Sequence, residues 1–190
     1  RLGARFSIAA TSRVPWTVLH FLDPIPFERV AARGGAFARR SRVMPEAVEP
    51  IRPIDRREAR RRFGLPEEGR VVGTAGNLRE RKRIDLLIAA FAAAPTRPDD
   101  RLLLSGRLQD SLRDLIRHRH RDLLDAQRLL LIDRFLTEEE FAASLSAMDV
   151  VAIPYPHHIG SSGIVVRGPA SERPLLGSPY GWVGWSIRTF

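Results

Sequence analysis

The chain contains no cysteine. That absence excludes a disulfide scaffold, a thiolate zinc site, an iron–sulfur cluster and a cysteine nucleophile, and it fits a reducing cytoplasm. Lysine is almost as scarce. There are 31 basic residues, and all but Lys82 are arginine. No apolar run approaches the roughly 20 residues that span a bilayer. Residues 1–11 carry basic side chains but no sustained apolar stretch, so no signal peptide is read there. None of the 5 histidines stands at a metal-ligand spacing. His118 and His120 point in different directions on a helix, His157 and His158 adjoin in a loop, and His20 lies in an irregular stretch. No metal site is expected.

The composition is globular in character: 190 residues, 44% apolar and 28% charged. The length suits one domain, or one domain plus a fragment of another. The 31 basic residues against 22 acidic ones give a net charge of +9. Such a balance suits nucleic acid, anionic lipid or a phosphate-bearing ligand. The blander reading is a solvated arginine-rich surface. The basic stretch 113–121 divides the same way: it could touch the inner face of a membrane as a peripheral contact, and it reads first as a solvated face. Trp16, Trp182 and Trp185 do not interleave with a basic patch as single-strand binders require, so nucleic acid is not an expected partner.

Residues 1–42 show no clean period. A short strand is expected at residues 7–10, and Pro15, Pro24 and Pro26 punctuate the stretch after it. The segment reads as a connecting region or the remnant of something upstream, and residues 43–190 as the domain proper. There the pattern is regular. Asp55 is placed to cap a helix over residues 56–63, with Gly64 just past its end. Strands are expected at 70–74, 102–104, 129–132, 150–153 and 174–176. Between them Ile84, Leu87, Ile88 and Phe91 mark one amphipathic helix, and Leu112, Leu115, Ile116 and Leu123 mark a second. Thr137 with Glu140 is a capping box opening a third, over 138–148. A short helix is expected from Ile164. The strands are continuous apolar runs, as in a parallel sheet covered on both faces. The fold class is therefore α/β, a doubly wound parallel sheet, and ligands are expected outside the carboxyl ends of its strands.

Two loops at that end carry candidate sites. Gly76, Asn77, Arg79, Arg81 and Lys82 come after the first strand. Gly76 permits a tight turn, the next helix start offers free N–H groups, and the cations, Arg83 included, could hold a diphosphate. The loop is neither a Walker A motif nor a dinucleotide fingerprint, and a solvent-facing basic turn is the plain alternative. Ser161, Ser162 and Gly163, after Gly160, form a small-residue loop entering the short helix, where backbone N–H groups can approach an anion. An ordinary strand–helix loop would look the same.

Pro45, the "RRRFGLP" stretch at 60–66, "VGTAGNLRERKRIDLLIAAF" at 72–91, "RLLLSG" at 101–106, "LIDRFLTEEEFAASLSAMDVVAIPYP" at 131–156 and "SSGIVVRGPASERPLLGSPYGWVG" at 161–184 together resemble the C-terminal domain of retaining GT-B glycosyltransferases, the group 1 family. The resemblance covers residues 43–184 and implies a Rossmann-like domain that binds a nucleoside diphosphate sugar. It casts Lys82 as the catalytic cation that neutralises the diphosphate, with Gly76, Asn77, Arg79, Arg81, Gly106, Ser161, Ser162, Gly163 and Arg167 around the donor, and it implies no metal and no cofactor. The family's arginine in the first loop falls on Asn77. Its two glutamates fall near Ile159 and on Arg167, and the glycine of its G-x-P element falls on Glu172. The resemblance also implies a preceding acceptor domain and closing helices after the last strand; without them the chain reads as a fragment, truncated at its C-terminal end and inactive alone. The expected function is transfer of a sugar to a hydroxyl acceptor. The alternative is a non-catalytic basic α/β module that binds nucleic acid or anionic surfaces.

Overall fold

The computed structural model describes residues 18–44, 46–49, 51–156 and 160–189. The strand expected at 7–10, Pro15, Trp16, Pro45, the His157–His158 pair and Ile159 lie outside the described residues. The chain separates into two compact units, Arg1–Ala47 and Val48–Phe190.

The described part of the first unit is more regular than its sequence suggests. Strand β1 (Leu19–Phe21), helices α1 (Pro24–Ala31) and α2 (Gly35–Arg39) and strand β2 (Ser41–Val43) succeed one another, and β1 pairs with β2 in parallel. Pro24 and Pro26, which read as punctuation, lie in the first turn of α1. The N–H groups missing there would have no intrahelical partner anyway. Asp23 caps the helix by accepting from Ile25 N at 2.9 Å.

The second unit holds a five-stranded, all-parallel sheet in the order β5-β4-β3-β6-β7. Its strands are β3 (Val71–Ala75), β4 (Arg101–Ser105), β5 (Leu129–Ile132), β6 (Val150–Ile153) and β7 (Leu175–Gly177). The helices are α3 (Arg56–Arg62), α4 (Ile84–Ala93), α5 (Asp110–Arg119), α6 (Arg121–Asp125), α7 (Glu138–Ala147), α8 (Gly163–Arg167) and α9 (Gly181–Thr189). The doubly wound parallel sheet expected from the sequence is present. Alternate residues of β4 show why its apolar run is continuous. Leu103 joins the cluster of Leu145, Met148, Ile153 and Trp182 on one face, while Leu102 and Leu104 join Ile84, Ile88 and Ile116 on the other. Each such side chain, wholly buried, contributes roughly 1.5–3 kcal/mol.

Local signals work as expected in several places. Asp55 accepts from Arg57 N and Glu58 N, both at 3.0 Å, and Gly64 takes φ 65° past the end of α3. Thr137 and Glu140 form the reciprocal capping box of α7. Three expectations are corrected. The single helix over 112–123 is two, α5 and α6, because His120 leaves helical geometry at φ −132° and ψ 27°; the break still lets Leu123 pack in the same cluster as Leu129. The first strand lies one residue later than expected, ending at Ala75. A helix, α9, does come after the last strand. Gly181 and Gly184 obscure it in sequence, since glycine is a poor helix former. Packing decides otherwise: Trp182 and Val183 are buried, and a side chain at Gly184 would overlap the Pro179 carbonyl.

An ionic knot fixes the amino ends of the central strands. Arg60, wholly buried, donates to Asp149 Oδ2 at 2.6 Å and to the carbonyls of Ala147, Pro66, Glu67 and Gly69 at 2.7–3.3 Å. Asp149 also accepts from Val71 N at 2.7 Å and from Arg56 at 2.8 Å. The charge of Arg60 is thus both paired and fully hydrogen-bonded, the condition for keeping it inside.

Candidate functional site

The chain passes from β3 outward through β4 to β5, then returns to place β6 on the other side of β3. The crevice between β3 and β6, at their carboxyl ends, is therefore the topological switch point, where open α/β sheets bind ligands. The described residues bordering it are 76–83, 154–156 and 160–162.

The first loop is rigid. Gly76 N donates to Ser105 O and Gly106 N to Ile132 O, both at 2.8 Å, and a parallel bridge joins Leu78 to Leu108. Gly76 and Gly106 have φ 103° and 118°, and a Cβ on Gly106 would overlap the Gly76 backbone. Only glycine fits at 106. Beyond Leu78 the chain makes a 3-10 turn over Glu80–Lys82, closed by Arg83 in the left-handed region at φ 49°. This geometry turns Lys82 inward while Arg79 and Arg81 stay exposed.

Lys82 is 8% exposed, deeper than the solvent-facing basic turn that is the plain alternative for this loop. Its Nζ lies 5.1 Å from the centre of the buried Tyr155 ring. A side chain at Gly76 would come within 3.9 Å of the same Nζ and 3.8 Å of Phe141 Cε2, so glycine leaves the approach to the ammonium open. No ion pair involves Lys82 among the described residues. Burial, then the like charges of Arg81 and Arg79, lower its pKa from 10.5 to about 8. Burial pushes the Tyr155 hydroxyl's pKa up, and Ser162 and Thr74 are near enough to oppose that rise. Tyr155 thus links Lys82 to the small-residue loop of Ser161, Ser162 and Gly163. Ser162 is the residue before α8 and does not cap that helix with its side chain.

Arg167, at the far end of α8, lies 4.3 Å from the centre of the Phe141 ring and pairs with Glu138. Phe141 is therefore a neighbour of both Gly76 and Arg167. With the Asn77 amide oxygen turned toward Arg79, it accepts from the guanidinium at 3.2 Å. Two expected contributors have partners inside the chain. Arg83 pairs with Asp85 at 2.9 Å and holds that carboxylate at low pKa, and at the start of α4 Leu86 N donates to Arg83 O at 3.0 Å. On the far side, Asp133 anchors the β4 loop, accepting from Leu108 N at 2.9 Å and Arg113 at 2.6 Å, and the arginine holds its pKa down. A groove of about 540 Å³ is lined by residues 49 and 51–55, by α3 and the start of α7, and by Arg167.

Sequence reasoning missed Tyr155 and Phe141. Tyr155, between two prolines at the end of β6, carried a usable signal: a tyrosine at the mouth of a buried strand. Phe141 carried none, since it reads as one more apolar position of an amphipathic helix. The position where the resemblance expects glycine, Glu172, takes φ 58°, a left-handed conformation that glycine adopts without strain.

Among the described residues no group of three or more histidine and carboxylate side chains is placed to hold a metal ion, and no helix is long and apolar enough to cross a membrane.

The architecture is the Rossmann-like fold of the C-terminal domain of GT-B glycosyltransferases. HepE of Anabaena, solved with UDP and glucose, matches with a TM-score of 0.71 and 18% identity over 95% of this chain and 49% of that one. Sucrose-phosphate synthase of Thermosynechococcus elongatus matches at 0.67 and 21% identity, over 88% and 41%. The C-terminal domain of LpcC, a group 1 glycosyltransferase of Francisella tularensis, matches at 0.59 and 17%, over 72% of each. The chain spans about half the length of the HepE structure. No family model and no curated protein matches the sequence.

Proposed function

We propose that this chain supplies the donor-binding half of a glycosyltransferase that moves a sugar from a nucleoside diphosphate sugar to a hydroxyl acceptor, with retention and without metal or cofactor. The observation that carries the reading is the buried Lys82 ammonium over Tyr155, at the crevice between β3 and β6, free of any carboxylate among the described residues. HepE has been solved with UDP and with UDP-glucose, which makes uridine diphosphate the donor fragment to test.

In the proposed reaction the bond between the anomeric carbon and the diphosphate oxygen breaks, and its electron pair stays on the phosphate. The acceptor oxygen bonds the anomeric carbon on the same face, and its proton passes to the departing diphosphate oxygen. Charge develops on the leaving diphosphate, and a fixed ammonium in a partly dry cleft stabilises it there more than water would. Lys82 has the catalytic role. Arg79, Arg81 and the Ser161–Ser162–Gly163 loop border the donor, Gly76 leaves room for it, and Gly106 fixes the loop. Arg167 stands where the related motif has glutamate and is itself paired to Glu138. A second domain, holding the acceptor, completes the site.

Calorimetric titration of the chain with UDP tests this reading. Saturable binding of one UDP per chain, persisting at moderate salt, supports it. Steep salt-dependent binding of any polyanion, with none of UDP, would favour the basic binding module instead.

A further inference from the structure

A second recess lies between α8, the Pro169–Ser171 turn, β7 and α9. It holds about 310 Å³ and is walled by Val165, Pro169, Leu175 and Ile187, with only Ser186 and Arg173 adding polar atoms. Both are unsatisfied. Ser186 is 6% exposed, and its Oγ finds no hydrogen-bond partner among the described residues. A helical serine commonly turns its hydroxyl back to the carbonyl one turn earlier; Ser186 does not. The Arg173 Nε is likewise buried without a partner. Nearby, Arg56 and Arg60 share the single carboxylate of Asp149, and Arg173 is close enough to contribute to lowering the Arg60 pKa. Arg173 itself forms no ion pair among the described residues. The recess therefore joins an apolar body to a hydroxyl and an excess positive charge.

We propose that this recess binds a small amphipathic carboxylate, such as a medium-chain fatty acid, with its carboxylate on Arg173 and Ser186 and its chain along Val165, Pro169, Leu175 and Ile187. Hydrocarbon forms most of the walls, with only two polar residues among those lining it, so an apolar chain that displaces water from them gains by burial. The recess, about 310 Å³ and partly open to solvent, has room for an acyl chain the size of octanoate. A nucleotide or sugar would leave most of its polar groups facing hydrocarbon.

Octanoate and 1-octanol, titrated calorimetrically into the 190-residue chain, test the proposal. Wild type is expected to bind one octanoate saturably, with UDP present or absent. Arg173→Gln should weaken octanoate by about tenfold or more while leaving octanol within about twofold, because one charged pair is lost and the apolar contacts remain. Val165→Phe should block both ligands, and Ser186→Leu fills the recess from the opposite wall should Val165→Phe fail to melt as a folded protein. Absence of saturable octanoate binding to wild type means that the recess holds water only and overturns the proposal. So does an Arg173→Gln affinity equal to that of wild type.

Discussion

If Lys82 pairs with the donor as proposed, its lowered pKa makes donor binding sensitive to pH. With a pKa of about 8, about nine-tenths of the chain carries the ammonium at pH 7 and about one-tenth at pH 9. A terminal phosphate, with its last ionisation near 6, keeps nearly constant charge over that range. If the diphosphate pairs with the ammonium, the UDP dissociation constant should rise about tenfold between pH 7 and pH 9, and binding at pH 9 should take up a proton from buffer. Removing the charge by Lys82→Met should cost about 1.5–3 kcal/mol, the scale of a charged hydrogen bond, or roughly ten- to a hundred-fold in affinity, and should flatten the profile. Stability moves the other way. The folded, ligand-free chain loses this proton near 8, whereas the unfolded chain keeps it to about 10.5. Unfolding between those values therefore takes up a proton, and the share of stability due to Lys82 rises with pH across that window and is lowest below 8. That depression corresponds to up to about 3 kcal/mol, so Lys82→Met should melt higher than wild type at pH 7 while binding UDP worse. Calorimetric titration at pH 7, 8 and 9 in two buffers of different ionisation enthalpy, with thermal melts of both proteins, reads every part of this. A wild-type affinity that stays level from pH 7 to 9, or a Lys82→Met protein that melts lower, would refute the reasoning.

Particular contacts carry three further outcomes. Asp149→Ala should cost about 3–5 kcal/mol, because it leaves the Arg60 guanidinium buried without its counter-ion; a urea-melt loss below about 1 kcal/mol would show that the knot is not structural. Glu172→Gly should add roughly 0.5–1 kcal/mol by relieving a left-handed side chain, raising the melting temperature by a few degrees, and a lower melting temperature would contradict the strain. Arg119→Ala, on the exposed end of α5, should leave UDP affinity within about twofold; a loss equal to that of Lys82→Met would mean diffuse attraction and no defined site.

Much of the sheet was legible because burial on both faces writes itself into sequence. β5 and β6 lie where their apolar runs place them, and the capping box of α7 announces its helix before any packing is known. The first unit and α9 were not legible. In both, proline or glycine sits where local rules would break an element, and the element survives because the affected N–H group had no partner to lose or because a neighbouring carbonyl needed the missing Cβ. Lys82 was legible as a candidate, but its burial was not. Its neighbours Arg79, Arg81 and Arg83 all point to a solvated basic turn, and only the 3-10 turn with a left-handed residue after it brings the lysine under Gly76. The residues forming its floor and flank, Tyr155 and Phe141, arrive from distant segments, and no spacing rule joins them to the loop.

The net charge of +9 is a poor guide to the site, and the reason lies in how the charges are held. Around the crevice, Arg83, Arg113, Arg134 and Arg167 are each neutralised by a carboxylate at Asp85, Asp133, Glu140 and Glu138. They stiffen loops and contribute little field beyond them, since paired exposed charges are screened. Lys82 differs in three respects together: it is buried, it has no carboxylate among the described residues, and an aromatic face lies beneath it. An ammonium so placed costs folding energy without a ligand and recovers it by pairing with an anion. Lysine suits that position where arginine does not. Its compact head fits the space beside Gly76. A chain that otherwise uses arginine for every basic residue uses lysine once, at a buried position where a small charge has room.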